Sequence, residues 1–204
     1  MKKLIIFDLD GVIFNSKENM RVAWEQVNYK LKLNIKFEDY FRNIGMPFEE
    51  ILKKLGIKKN IPLVKKIYRE KSIQKFNLVK IYPSVKATLE KLKKKNYQLG
   101  IITSKEKSRT SKLLKKFKIK IKFVQCPIPG FKGKPNPYLL NKLIKKTQEK
   151  KKNTYYIGDT FVDYKFAQNS KINFIFCNYG YGKINLKSVK KINKFNDLLK
   201  LFNS

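Results

Sequence analysis

Short apolar runs alternate along this chain with longer amphipathic stretches, the pattern of buried strands and covering helices in a parallel sheet. Runs from Leu4 to Phe7, Leu99 to Thr103, Lys122 to Gln125, Tyr155 to Ile157 and Phe174 to Cys177 predict strands. Segments of helical length and period lie between the later runs, from Val85 to Lys94, Ser108 to Phe117 and Pro137 to Thr147. Lysine runs such as Lys93-Lys94-Lys95, Lys115-Lys116 and Lys150-Lys151-Lys152 fall at or beyond the ends of these segments, where a cation suits the helix C-terminus.

The alternation breaks after the first strand. From Ser16 to Lys80 only helical patterns occur: Met20, Trp24, Val27 and Leu31 share one face, and Phe48, Ile51, Leu52 and Leu55 repeat the idea. A helical block between the first two strands of a sheet reads as a small inserted domain placed to close over the sheet edge. The expected fold class is α/β: a doubly wound, Rossmann-like parallel sheet with an inserted α-helical cap. Residues 1–15 and 81–204 form the core and 16–80 the cap. Trp24 is read as a packing residue of that cap.

Composition narrows the chemistry. With no histidine among 204 residues, Ser-His-Asp triads, Cys-His dyads and His-ligated zinc are excluded. Two cysteines, Cys126 and Cys177, are too few for a thiolate metal site and read as small buried hydrophobes. The formal net charge of +33 suggests nucleic acid. Yet 44 of the 48 cations are Lys and four are Arg, the residue of bidentate phosphate and base recognition. Lys, Ile and Asn, all with AT-rich codons, dominate the chain, so genome bias accounts for the charge and nucleic acid is not an expected partner. Met1-Lys2-Lys3 before Leu4-Ile5-Ile6-Phe7 imitates a signal-peptide start, but Asp8 breaks the apolar run too early. A cytoplasmic location without membrane contact is expected.

The scarce acids are gathered. Of six Asp, two lie in Phe7-Asp8-Leu9-Asp10-Gly11 after the first strand and two in Gly158-Asp159-Thr160-Phe161-Val162-Asp163 after another. Four carboxylates at the carboxyl ends of buried strands repel one another unless a cation intervenes. That sheet edge is also where doubly wound folds bind ligands. Hard oxygen donors without His or Cys favour Mg²⁺. Thr103 and Ser104, with Lys134 of Lys132-Gly133-Lys134-Pro135, add hydroxyls and a point charge suited to a phosphoryl group.

These residues, in this order, resemble the haloacid dehalogenase superfamily, in its phosphoglycolate-phosphatase-like and β-phosphoglucomutase-like branch. Four motifs carry the resemblance over nearly the whole chain: Asp8-Leu9-Asp10-Gly11, Ile102-Thr103-Ser104-Lys105, Lys134-Pro135-Asn136-Pro137, and Gly158-Asp159 with Asp163. Softer likeness lies in Ile44-Gly45-Met46-Pro47, Tyr82-Pro83 and Tyr179-Gly180-Tyr181-Gly182. The resemblance implies Asp8 as nucleophile forming an aspartyl-phosphate and Asp10 as general acid and base. It implies Mg²⁺ on Asp8, Asp159 and the backbone carbonyl of Asp10, with Asp163 behind them orienting Lys134 or a metal water. Thr103, Ser104 and Lys134 would bind phosphate, and Gly45, Met46 and Phe48 of the cap would read the organic part.

The implied activity is Mg²⁺-dependent hydrolysis of a small phosphorylated metabolite by a monomer or weak homodimer. A phosphosugar mutase is the alternative within the resemblance, although its usual cap histidine is absent; a nucleic-acid-binding module is the alternative outside it. Asn15-Ser16, where relatives carry Asp-Ser, and Gln168-Asn169-Ser170-Lys171, where an Ala-Gly pair is common, weaken strict phosphoglycolate specificity.

Overall fold

The computed structural model describes residues 3–183 and 188–202; Met1, Lys2, residues 184–187 and residues 203–204, which belong to the expected core, lie outside the described residues. In chain order the strands are β1 (Leu4–Phe7), β2 (Phe14–Asn15), β3 (Lys80–Ile81), β4 (Gln98–Ile102), β5 (Phe123–Gln125), β6 (Thr154–Gly158), β7 (Asn173–Cys177) and β8 (Lys190–Ile192). The helices are α1 (Lys17–Leu31), α2 (Phe37–Phe41), α3 (Phe48–Lys54), α4 (Ile61–Gln74), α5 (Val85–Lys94), α6 (Lys107–Lys116), α7 (Tyr138–Thr147), α8 (Phe161–Asn169) and α9 (Leu198–Leu201).

Six strands form one parallel sheet in the order β5-β4-β1-β6-β7-β8. The chain winds outward from β1 through β4 to β5, then returns across β1 to β6 and winds the other way. The reversal sits beside the carboxyl end of β1, where the crevice of a doubly wound sheet opens. β1 has no polar face, because helices cover both sides. Leu4 and Ile6 pack with Leu140, Leu143 and Phe166 from α7 and α8, while Ile5 and Phe7 pack with Leu89, Leu92 and Phe195 on the other face.

Residues between β2 and β3 are helical and hold an apolar cluster of their own, with Trp24, Val27, Tyr40, Ile51, Leu52 and Tyr68 in it. Trp24 stacks on Tyr40 with ring centroids 4.6 Å apart, and its indole N–H donates to the Ile35 carbonyl at 2.9 Å. The stripe of Met20, Trp24 and Val27 is buried, as its period requires. α1 and α4 are the main pair of this block, tied by Asn19, whose amide donates to the carbonyls of Ser72 and Lys75 at 2.8 Å each.

The five expected strands are present with boundaries shifted by a residue or so. Three strands and α9 carry no readable pattern. β2 and β3 are two residues each and pair antiparallel where the chain leaves and re-enters the helical block, too short for a period to show. β8 begins Lys190-Lys191, whose side chains are exposed, so only Ile192 faces the core. Cys177 is buried as expected, but Cys126 is only half-buried beyond β5, so it is not a core hydrophobe. Among the described residues no helix is long and apolar enough to cross a membrane.

Candidate active site

Three carboxyl ends of adjacent strands deliver the site. β1 ends in Asp8, whose N–H bonds the Ile157 carbonyl of β6 at 2.9 Å; β4 ends in Thr103, whose N–H bonds the Gln125 carbonyl of β5 at 3.1 Å. β6 ends at Gly158, followed by Asp159. Asp8 and Asp10 flank the fully buried Leu9, so both carboxylates face one cleft while Leu9 faces the core. Gly11 turns the chain at φ +85°, and a Cβ there would meet Asp159 Oδ2 at 2.0 Å; one at Gly180 would meet Asp159 Cβ at 2.2 Å. Only glycine permits that approach from both sides.

Asp8, Asp159 and Asp163 each offer an oxygen within 4.8 Å of the others, and all three are buried. Lys134 bridges two of them, its Nζ 2.6 Å from Asp8 Oδ1 and 2.8 Å from Asp163 Oδ1. The other oxygen of Asp163 closes the N-terminus of α8, accepting from the Thr160 N–H at 3.1 Å and the Thr160 hydroxyl at 2.7 Å. This reciprocal cap fixes Asp163, and Asp163 in turn aims Lys134 at Asp8. Asp159 Oδ2 accepts from the Tyr181 N–H at 2.7 Å, whereas Oδ1 is buried with no hydrogen-bond partner.

One ammonium does not balance this cluster. Burial pushes the Asp8 carboxyl up to about 7; the facing Lys134 charge opposes the rise and Asp163 adds to it. Burial, then the charges of Asp163 and Asp8, raise Asp159 far above the ordinary carboxylate range. Burial draws Lys134 down, but the charges of Asp163 and Asp8 outweigh it, and its ammonium is held more tightly than usual. An orphaned buried oxygen and carboxyls driven toward protonation are features that a bound cation would relieve. Three hard oxygen donors and no His or Cys fit a magnesium-type ion.

The opposite wall comes from β4, α6 and the helical block. Lys105 Nζ lies 3.0 Å from Asp10 Oδ2, and the Ser16 hydroxyl donates to Asp10 Oδ1 at 2.5 Å. Thr103 Oγ1 accepts the Lys105 N–H at 3.1 Å, which leaves the hydroxyl proton of Thr103 free for a ligand. The Ser104 hydroxyl proton instead goes to the Gly45 carbonyl at 2.8 Å, joining the sheet edge to the helical block. Gly45, Met46 and Phe48 line the same cleft, as do Tyr40, Tyr68 and Arg109. A Cβ at Gly45 would meet Thr160 Oγ1 at 2.6 Å, so the block approaches α8 closely there.

Asp8, Asp10, Thr103 and Ser104 line one cleft with the three block residues, and Lys134, Asp159 and Asp163 lie buried beside Asp8. Among the residues at or beside the cleft, Ser16, Lys105, Arg109 and Tyr68 are polar groups to which the sequence assigned no role. Lys105 directly follows Thr103-Ser104, and Arg109 is one of only four Arg in a Lys-rich chain; those were the available signals.

The model of the haloacid dehalogenase-like hydrolase family matches residues 5–177, from the first strand to the end of β7. The chain belongs to that family. Its relatives include a phosphoglycolate phosphatase of Vibrio parahaemolyticus, 27 % identical over 88 % of this chain and 85 % of that protein. The pyrophosphatase PpaX of Bacillus mycoides is 28 % identical over 81 % of this chain and 79 % of its own. Among solved structures, a hydrolase from Pseudomonas syringae superposes with a TM-score of 0.87 over 99 % of this chain and 98 % of that one, at 22 % identity. That last likeness concerns the fold of this haloacid dehalogenase-like chain.

Proposed function

We propose that the chain is a magnesium-dependent phosphatase that hydrolyses a small phosphate monoester, of the phosphoglycolate or sugar-phosphate type, through an aspartyl-phosphate on Asp8. The observation that carries this reading is the buried trio of Asp8, Asp159 and Asp163 with one oxygen unpartnered and a single lysine bridging two members. Family membership and the named relatives support the reaction class.

Asp8, Asp159 and the Asp10 carbonyl would hold the ion, which when bound supplies the charge that lets an anionic nucleophile meet an anionic phosphate. Asp8 attacks phosphorus, the ester P–O bond breaks, and Asp10 gives its proton to the departing alkoxide. Asp10 then takes a proton from the water that attacks the phosphorus of the aspartyl-phosphate, which returns Asp8 and releases phosphate. Lys134, held by Asp163, steadies both the Asp8 carboxylate and a phosphoryl oxygen, and the free Thr103 hydroxyl proton serves another. Residues 1–15 and 81–204 act as the catalytic core. The block 16–80 acts as a cap, with Gly45, Met46 and Phe48 beside the organic part.

The test is phosphate release from a panel of monoesters with Mg²⁺, beside Asp8→Asn. Release by the wild type, lost by more than about 10⁴-fold in the variant, is expected for a nucleophile. Full activity of Asp8→Asn would remove Asp8 from that role.

A further inference from the structure

Arg109 is an unusual residue to find where it is. It projects from the first turn of α6 into the cleft, is only 9 % exposed, and its Nε has no hydrogen-bond partner. Its other contacts are neutral, weak or long: Glu106 Oε1 lies 3.6 Å from Nε and the Ser72 hydroxyl 3.4 Å from Nη1, and the guanidinium packs against Tyr68, 5.3 Å from the ring centroid and in hydrogen-bonding reach of its hydroxyl. Glu106 is half-exposed, so its attraction is screened by solvent. A buried guanidinium without a full-strength acceptor is costly, and a charged ligand arriving in the cleft removes that cost.

Tyr68 supplies a second donor at the same place. Its hydroxyl accepts from the Tyr40 hydroxyl at 3.0 Å, so its own proton is left without a protein acceptor among the described residues. The buried Lys105 stands on the same wall, with one of its three N–H groups directed at Asp10. The floor of the cleft is different, because Lys134 already faces two carboxylates.

We infer that Arg109 and Tyr68, with Lys105 beside them, form a second anion subsite that holds a negatively charged group on the organic part of the substrate. The inference rests on the phosphatase reading and narrows it: the substrate carries an anion at each end, one phosphate to be cleaved and one carboxylate or second phosphate to be held. A neutral sugar offers Arg109 no counter-charge.

Calorimetric binding of non-hydrolysable phosphonates to the Mg²⁺-loaded protein tests this apart from turnover. Phosphonoacetate and methylenediphosphonate carry a second anion, a carboxylate or a phosphonate; ethylphosphonate has a neutral tail. The wild type is expected to bind one of the first two about 10- to 100-fold more tightly than ethylphosphonate, the range of a hydrogen-bonded charge. Whichever of them binds tighter tells carboxylate from phosphate. Arg109→Gln should reduce the preference to within about 3-fold, Tyr68→Phe should reduce it in part, and Arg109→Lys should keep more of it than Arg109→Gln. Lys112→Gln, an exposed charge removed from the same helix, should leave it intact. Equal wild-type affinity for charged and neutral tails overturns the subsite alone, as does a preference that survives Arg109→Gln. Binding of none of the three overturns the subsite and the phosphatase reading together.

Discussion

The two sides of the cleft handle charge in opposite ways. On the floor, three buried carboxylates face one lysine, and the deficit is positive charge. On the wall, Lys105 pairs with Asp10, while Arg109 has only the half-exposed Glu106 at 3.6 Å, so the wall is short of negative charge. The floor therefore suits a divalent cation and the wall an anion. On the proposed reading, a phosphate ester with a charged tail, together with a metal ion, would complete both. The floor is also rigid, since Asp163 is locked into the cap of α8 and Asp159 is enclosed by glycines. The wall is assembled across the junction with the helical block, through Ser16, Tyr68 and the Ser104–Gly45 bond.

This difference can be broken at either side. Lys134→Met should cut kcat/KM by about 10²- to 10³-fold for every ester alike, because it removes a charge that faces the reacting phosphate. The same variant should be destabilised at pH 8 more than at pH 5. Asp8 then lacks its counter-charge, and at lower pH it escapes the penalty by taking up a proton; urea unfolding at the two pH values measures this. Lys105→Met leaves Asp10 with Ser16 as its only remaining partner of the two. It should lower kcat by about 10- to 100-fold through disturbed proton transfer, which the pH profile of kcat detects.

The Asp8 shift gives a third test. A carboxyl raised to about 7 binds its proton more tightly folded than unfolded, so its contribution to metal-free stability falls as pH rises from about 4 through 7. A divalent cation competes with that proton. The rise in Tm on adding Mg²⁺ should therefore be larger at pH 8 than at pH 5.5, by a few degrees. An increment that is equal or larger at pH 5.5 would mean that the ion is not held by Asp8. The smallest expected effect is that of Ser16→Ala, which removes one hydrogen bond to Asp10 and should lower kcat by about 5- to 10-fold with KM little changed.

The floor was readable in the sequence because each of its groups follows a strand that announces itself. Asp8 and Asp159 end apolar runs, Asp163 sits one turn into the next helix, and acids are so scarce that four Asp at two strand ends stand out. The wall was not, because its residues come from places without a periodic signal. Ser16 lies beside a two-residue strand, Tyr68 faces inward from a helix whose apolar stripe reads as packing, and Lys105 is one lysine among many. The sheet followed the same rule: β1 is apolar throughout and β4, β6 and β7 are apolar after a polar first residue, whereas β8 presents two exposed lysines and one buried isoleucine. Patterns of burial are legible when a whole element shares one environment, and contacts made by single residues across a junction are not.

The measurement that bears most directly on the central claim is acid quenching during steady-state turnover of a hydrolysed ester with Mg²⁺, followed by mass spectrometry of the peptides. The expected result is a phosphoryl group on the peptide spanning Leu4 to Val12, localised to Asp8 and absent without substrate. Phosphate release with no phosphorylated peptide at any quench time, or a phosphoryl group on another residue, would contradict it.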